Sequence, residues 1–126
     1  MRLRPQVALI IDTLGVYGRR ILRGINHYLR SHSPWSIYLD PYRRLEASPP
    51  HWLSHWNGDG IICRSITPGS VERLRQQKIP IVNLNDSWTD LGFPLIRSDD
   101  RAIGRLAAEH LLERGFRRFA FCGFVS

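Results

Sequence analysis

The 126-residue sequence predicts an α/β fold, a three-layer doubly wound parallel sheet, and three observations carry that reading. Short continuous apolar runs such as Gln6-Val-Ala-Leu-Ile-Ile11 have the pattern of parallel strands buried on both faces. Between them lie stretches whose apolar residues recur at three and four, as in amphipathic helices. Short loops join the two kinds of segment, and strands that alternate with helices pair in parallel through right-handed crossovers.

The elements follow in order. Gln6 to Ile11 is the first strand, closed by Asp12. From about Tyr17 to Ser31, Ile21, Leu22, Ile25, Tyr28 and Leu29 form one face of a helix, and Arg19, Arg20, Arg23 and Arg30 fill the other. Pro34 punctuates, Trp35 to Leu39 is the second strand, and a Pro-rich loop leads to a short helix around His51 to Trp56. Gly60 to Cys63 is the third strand. Thr67 then offers a capping hydroxyl and Pro68 suits the first helical position, with Val71 and Leu74 turned inward. Pro80 is tolerated only at the start of a strand, so Ile81 to Leu84 is the fourth. Leu95 to Ser98 gives a short fifth strand, and Asp99 or Asp100 caps a helix that runs to Arg114 and stops at Gly115. Phe119 to Cys122 is the sixth. No internal repeat or low-complexity stretch interrupts the series.

With 43% apolar residues the chain suits one compact domain. The apolar run Val7 to Ile11 is far shorter than a signal peptide's hydrophobic region or a membrane span, so neither export nor a membrane partner is expected. Cys63 and Cys122 end apolar runs and form no spaced framework, which suits free thiols in a reducing compartment and places the protein in the cytoplasm. A net charge of +7 invites a nucleic-acid reading. The pairs Arg19-Arg20, Arg43-Arg44 and Arg117-Arg118 are far apart in sequence, however, and a solvated basic surface is expected in place of direct DNA binding by this segment.

Several chemistries find no matching pattern. Asp12-Thr-Leu-Gly-Val-Tyr-Gly18 lacks the Lys-Ser/Thr end of a P-loop and does not fit G-x-G-x-x-G, so no nucleotide cofactor is expected. A phosphoacceptor receiver would need an Asp at the end of the third strand, where Cys63-Arg64 stands. His51 and His55 have a spacing that can present two nitrogens to zinc, but Trp52-Leu-Ser54 between them holds no Glu, and no metal site is expected. Each Ser, His or Asp that could join a triad serves first as a cap or loop former, so catalysis is not expected. Trp52 and Trp56 share a helical spacing that fills core or interface area.

In doubly wound sheets ligands bind outside the carboxyl ends of the strands, where loop tips and helix N-termini converge. Here those ends carry Asp12 and Thr13, Arg64 and Ser65, Asn83 and Asn85 with Asp86, then Asp99 and Asp100. A sugar presents hydroxyl donors and acceptors all round and an apolar ring face, so its site needs carboxylates, amides, an arginine and a stacking aromatic. Tyr17 or Trp88 supplies the aromatic. Each of these residues also has a plainer role: Asp12 ends a strand, Asp99 or Asp100 caps a helix, and Asn85-Asp86 forms a turn.

Ser98-Asp-Asp-Arg-Ala-Ile-Gly-Arg-Leu-Ala-Ala-Glu-His-Leu-Leu-Glu-Arg-Gly-Phe-Arg-Arg-Phe-Ala-Phe-Cys-Gly123 resembles the strand, helix and strand that end the first lobe of lactose-repressor-type sensor domains. Tyr17-Gly-Arg-Arg-Ile-Leu-Arg-Gly-Ile-Asn-His-Tyr28, Pro34-Trp-Ser-Ile-Tyr-Leu39 and Trp56-Asn-Gly-Asp-Gly-Ile-Ile62 are similar to a narrower group, the xylose operon regulators of XylR type. The resemblance covers nearly the whole chain, and its most specific parts are Gly-Asp-Gly-Ile-Ile and Ser-Asp-Asp. It implies a type I periplasmic-binding-protein-like sensor of two lobes, with a pentose such as xylose closing the cleft and changing how a homodimer presents AraC-type helix-turn-helix regions at its C-termini. By matching motifs, Asp12 to Tyr17, Arg64, Asn85 to Trp88 and Asp99-Asp100 line the first lobe's wall. The family continues past Ser126 into a second lobe and the DNA-binding helices, so residues 1–126 are expected to be a fragment that meets DNA only through that missing region. One wall alone buries about half of a sugar against the ~70–90% usual for a small-molecule site, and sugar binding by the fragment is expected to be weak or absent. Two alternatives stand beside the sensor lobe: a small flavodoxin-like enzyme with Asp12 or Asp99 as base, and an interaction domain that dimerises through Trp52, Trp56 or the first helix.

Overall fold

A computed structural model describes residues 4–40, 50–64, 68–85 and 90–123. The chain divides into two units, Met1–Ile96 and Arg97–Ser126.

In the first unit β1 spans Gln6–Ile10, α1 Val16–Ser31, β2 Ser36–Asp40, a 3-10 helix His51–His55, β3 Gly60–Cys63, α2 Pro68–Gln76 and β4 Ile81–Asn83. The strands lie in the order β2-β1-β3-β4 and every pair is parallel. Register aligns their carboxyl ends: Ile10 pairs with Asp40 and Cys63, and Cys63 with Asn83.

From Val7 to Ile10 β1 is apolar because both its faces are covered, as a central parallel strand requires. Alternate side chains go to opposite sides. Val7, Leu9 and Ile11 pack with Ile21, Leu22 and Ile25 of α1 and with Trp35 and Ile62. Ala8 and Ile10 join Ile61, Cys63 and Ile81 on the other side, under Leu53 of the 3-10 helix and Val71 and Leu74 of α2. That is the three-layer arrangement the apolar runs predict. Trp52 and Trp56, weighed in the sequence as a dimer surface, pack against this second core; they contact each other and Tyr38 edge-on or tilted at 4.9 to 5.7 Å.

Two expected strands are corrected. The segment Leu95–Ser98 contributes one bridge to the sheet, Asn83 with Leu95, held by Asn83 N–H to Pro94 O at 2.8 Å and Ile96 N–H to Asn83 O at 2.9 Å. The bridge falls on Asn83, the last residue of β4, so the pairing does not continue beyond it as a ladder. Phe119–Cys122, expected as the sixth strand, is irregular and has no strand partner among the described residues. An apolar run proposes a strand, but only a neighbouring backbone completes one. Among the described residues the expected six strands are therefore four and a bridge.

The second unit, taken by itself, holds α3, Asp100–Glu113. Of the two aspartates that could cap it, Asp99 does so, its Oδ1 accepting from the Ala102 amide at 2.9 Å. At the other end Gly115 has φ +85°, and the Gly115 and Phe116 amides donate to Leu112 O and Leu111 O. This is a Schellman closure, which uses the left-handed conformation that glycine adopts without a Cβ penalty. Among the described residues no helix is long and apolar enough to cross a membrane.

Candidate functional site

The chain leaves β1 toward β2 on one side and later returns to place β3 on the other, so the strand order reverses between the carboxyl ends of β1 and β3. A crevice opens at such a switch point, because the two flanking crossovers run over opposite faces of the sheet. The candidate side chains meet there.

Asp12 follows β1 and is buried, and its Oδ1 accepts the Leu14 amide at 2.8 Å, closing an Asx-type turn. The carboxylate's other oxygen lies 3.6 Å from where a Cβ on Gly15 would stand. Gly18 sets how closely α1 approaches, since a Cβ at that position would fall 1.8 Å from the Asp12 carbonyl oxygen. Gly15, at the helix N-cap, offers no side-chain cap. Arg19 instead reaches back from α1 and donates to Thr13 O at 3.3 Å and Leu14 O at 2.6 Å. The loop around Asp12 and Thr13 is thereby held from both ends.

Arg64 continues β3, its amide bonded to Ile10 O at 2.9 Å. Its guanidinium carbon sits 4.6 Å from the centroid of the Tyr17 ring, a cation–π contact worth about 0.5–2 kcal/mol. The Arg64 carbonyl accepts from Asn85 Nδ2 at 2.6 Å, and the Asn85 amide donates to Asn83 Oδ1 at 2.8 Å. Asn83 itself is fully buried. A polar residue inside the apolar run Ile81 to Leu84 signals a buried group with specific partners, and here it fixes the Asn85 backbone.

Asp12, Thr13, Tyr17, Arg64 and Asn85 thus come together along the rim of β1, β3 and β4. Tyr17, one of the two aromatics expected to stack on ligand, has the Arg64 guanidinium over its ring. Ser65, Asp86 and Trp88 lie outside the described residues. Asp99 and Asp100 belong to the second unit, where Asp99 is the N-cap of α3 and Asp100 stands in its first turn. Asp40, also at a strand end, was not singled out in the sequence; its Oδ2 accepts from Trp52 Nε1 at 2.8 Å and anchors the aromatic cluster.

Among the described residues the rim offers a carboxylate, a guanidinium, an amide and the Thr13 hydroxyl. Cys63 is buried beneath it, and burial pushes its thiol up to about 12 from an ordinary 9.0. Among the described residues no three of His, Cys, Asp and Glu gather as a metal site. His51 and His55 fall on a 3-10 helix, where about three residues make a turn and an i, i+4 pair diverges. The geometry suits noncovalent recognition of a hydroxyl-rich molecule.

Comparison with known proteins gives the same direction. The chain is 31% identical over 123 residues to the xylose operon regulatory protein of Haemophilus influenzae, covering 94% of this chain and 31% of that protein. It is 29% identical over 125 residues to the xylose operon regulatory protein of Escherichia coli K12, covering 95% and 31%. It therefore spans about a third of the length of these relatives, both of which are named as regulatory proteins. No solved structure matches the chain. The model of the XylR N-terminal domain matches residues 6–96, the unit that carries the sheet and its rim. The parallel sheet, its two covered faces and this match agree on a type I periplasmic-binding-protein-like fold, and the chain belongs to the XylR N-terminal domain family.

Proposed function

We propose that this chain is the first lobe of a sugar sensor in a transcription regulator, and that its rim forms one wall of an aldopentose site. The observation that carries the reading is the meeting of Asp12, Arg64 and Asn85 at the switch point of the sheet. The carboxylate accepts from sugar hydroxyls, and the guanidinium and amide donate to hydroxyl oxygens. Such bonds favour a ligand with many small polar groups over a flat apolar one. In a protein of the relatives' length the opposite wall comes from a second lobe, and closure of the cleft changes how a homodimer in the cytoplasm presents its DNA-binding regions. D-Xylose is the first candidate, because both named relatives regulate xylose operons.

Calorimetry on a protein extended through the second lobe tests this. Micromolar binding of an aldopentose is expected, with Arg64→Gln weakening it by about 1.5–3 kcal/mol, the cost of losing a hydrogen bond to a charged group. Absence of heat with every pentose and hexose would contradict the proposal.

A further inference from the structure

The two faces of α1 differ sharply in chemistry. Ile21, Leu22 and Ile25 pack on the sheet. At about 100° per residue, Arg20, Arg23, His27 and Arg30 fall on the opposite side, and all four are exposed. They extend along about 15 Å of helix at 1.5 Å per residue. Arg19 is not part of the row, since its guanidinium is committed to the Thr13 and Leu14 carbonyls. The helix contains no Asp or Glu, and Arg20, Arg23 and Arg30 form no ion pair among the described residues. Like charges spaced three or four apart on a helix repel one another. Among the described residues no carboxylate pairs with these arginines to relieve that repulsion.

From this row we infer that the exposed face of α1 docks against the phosphate backbone of duplex DNA, a contact that positions the lobe without reading bases. Guanidinium forks match phosphate oxygens two at a time, which a point charge does not. Duplex DNA carries one negative charge per ~1.7 Å of axis, so a 15 Å row faces several phosphates. Duplex DNA is also the polyanion that a full-length operon regulator stands beside; to that extent the inference rests on the regulator reading, though not on sugar binding. It departs from the sequence expectation that DNA is met only through a C-terminal region. The sequence puts Arg20, Arg23 and Arg30 on one helix face, while its adjacent arginine pairs lie far apart; helical spacing, and not adjacency, makes the row.

The test is a salt titration of the whole chain against a fluorescent 20-base-pair duplex of arbitrary sequence, read by anisotropy with no sugar present. Three phosphate contacts predict a slope of log K against log salt of about −2.7, or roughly fortyfold weaker binding at 200 mM than at 50 mM. Arg20→Gln with Arg23→Gln and Arg30→Gln is expected to flatten the slope to near zero. The same three positions changed to Lys keep it, as does removal of three charges elsewhere with Arg101→Gln, Arg117→Gln and Arg118→Gln. Should the triple Gln variant lose its circular-dichroism signature, Arg23→Gln alone is expected to remove about 0.9 from the slope. No binding at 50 mM salt, an equal loss in the control variant, or better competition by polyglutamate than by unlabelled duplex at equal charge would each overturn the inference, the last in favour of an acidic protein partner.

Discussion

At the scale of single residues, the rim depends on groups that touch no ligand. Gly18 is the plainest case: a methyl group there meets the Asp12 carbonyl, so either α1 or the loop must move. Gly18→Ala is expected to destabilise the protein by about 1–3 kcal/mol, the range for overpacking, and to weaken sugar binding because Asp12 shifts with the loop. Urea denaturation of the variant beside calorimetry checks both. Cys63 gives a pH prediction whose sign follows from its neutral buried form. Its folded thiol titrates near 12 and the unfolded one at 9.0. The contribution is whole below pH 9 and is lost as pH rises from 9 toward 12, because there the unfolded chain releases a proton that the folded chain keeps. A thiol assay at pH 8 should modify Cys122, which is exposed, and spare Cys63 until denaturant is added. Asp12, Arg64 and Asn85, legible in the sequence as strand-end groups, lie together at the carboxyl ends of β1, β3 and β4. Arg19, by contrast, was read as one of the solvent-facing arginines of α1, since helical periodicity shows only which side a residue is on. That its guanidinium turns back to the Thr13 and Leu14 carbonyls depends on where the loop carries them.

At the scale of elements, helices were more legible than strands, and the reason is physical. A helix closes its hydrogen bonds within its own segment, so caps and periodicity in the sequence suffice to bound it. α1 and α3 accordingly begin and end within a residue or two of the bounds expected at Tyr17, Ser31, Asp99 and Gly115. A strand needs a neighbour, and the apolar runs at Leu95 and Phe119 could not announce whether one would be present. The caps of α3 can be tested directly. Asp99→Ala is expected to cost about 0.5–2 kcal/mol through the unpaired Ala102 amide. Gly115→Ala costs about 1–2 kcal/mol, because it forces a Cβ into the left-handed region. Amide exchange should quicken in the first turn of α3 for one variant and in the last turn for the other. Unchanged exchange in both would show that the caps do not hold the helix ends.

For the molecule as a whole, the sheet order β2-β1-β3-β4 does what no single element does, since it brings loops from distant parts of the sequence to one crevice. That convergence was expected from alternating strands and helices. Asp99 has a cap to serve in its own unit. The switch-point rim is proposed as the wall that meets sugar. Amide chemical shifts recorded during a D-xylose titration, on a protein that includes the second lobe, address that claim most directly. The largest first-lobe changes are expected at Asp12 to Tyr17, Arg64 and Asn83 to Asn85. Saturable binding that leaves those amides unmoved and shifts the amino-terminal ends of the strands instead, near Gln6 and Ser36, would contradict it.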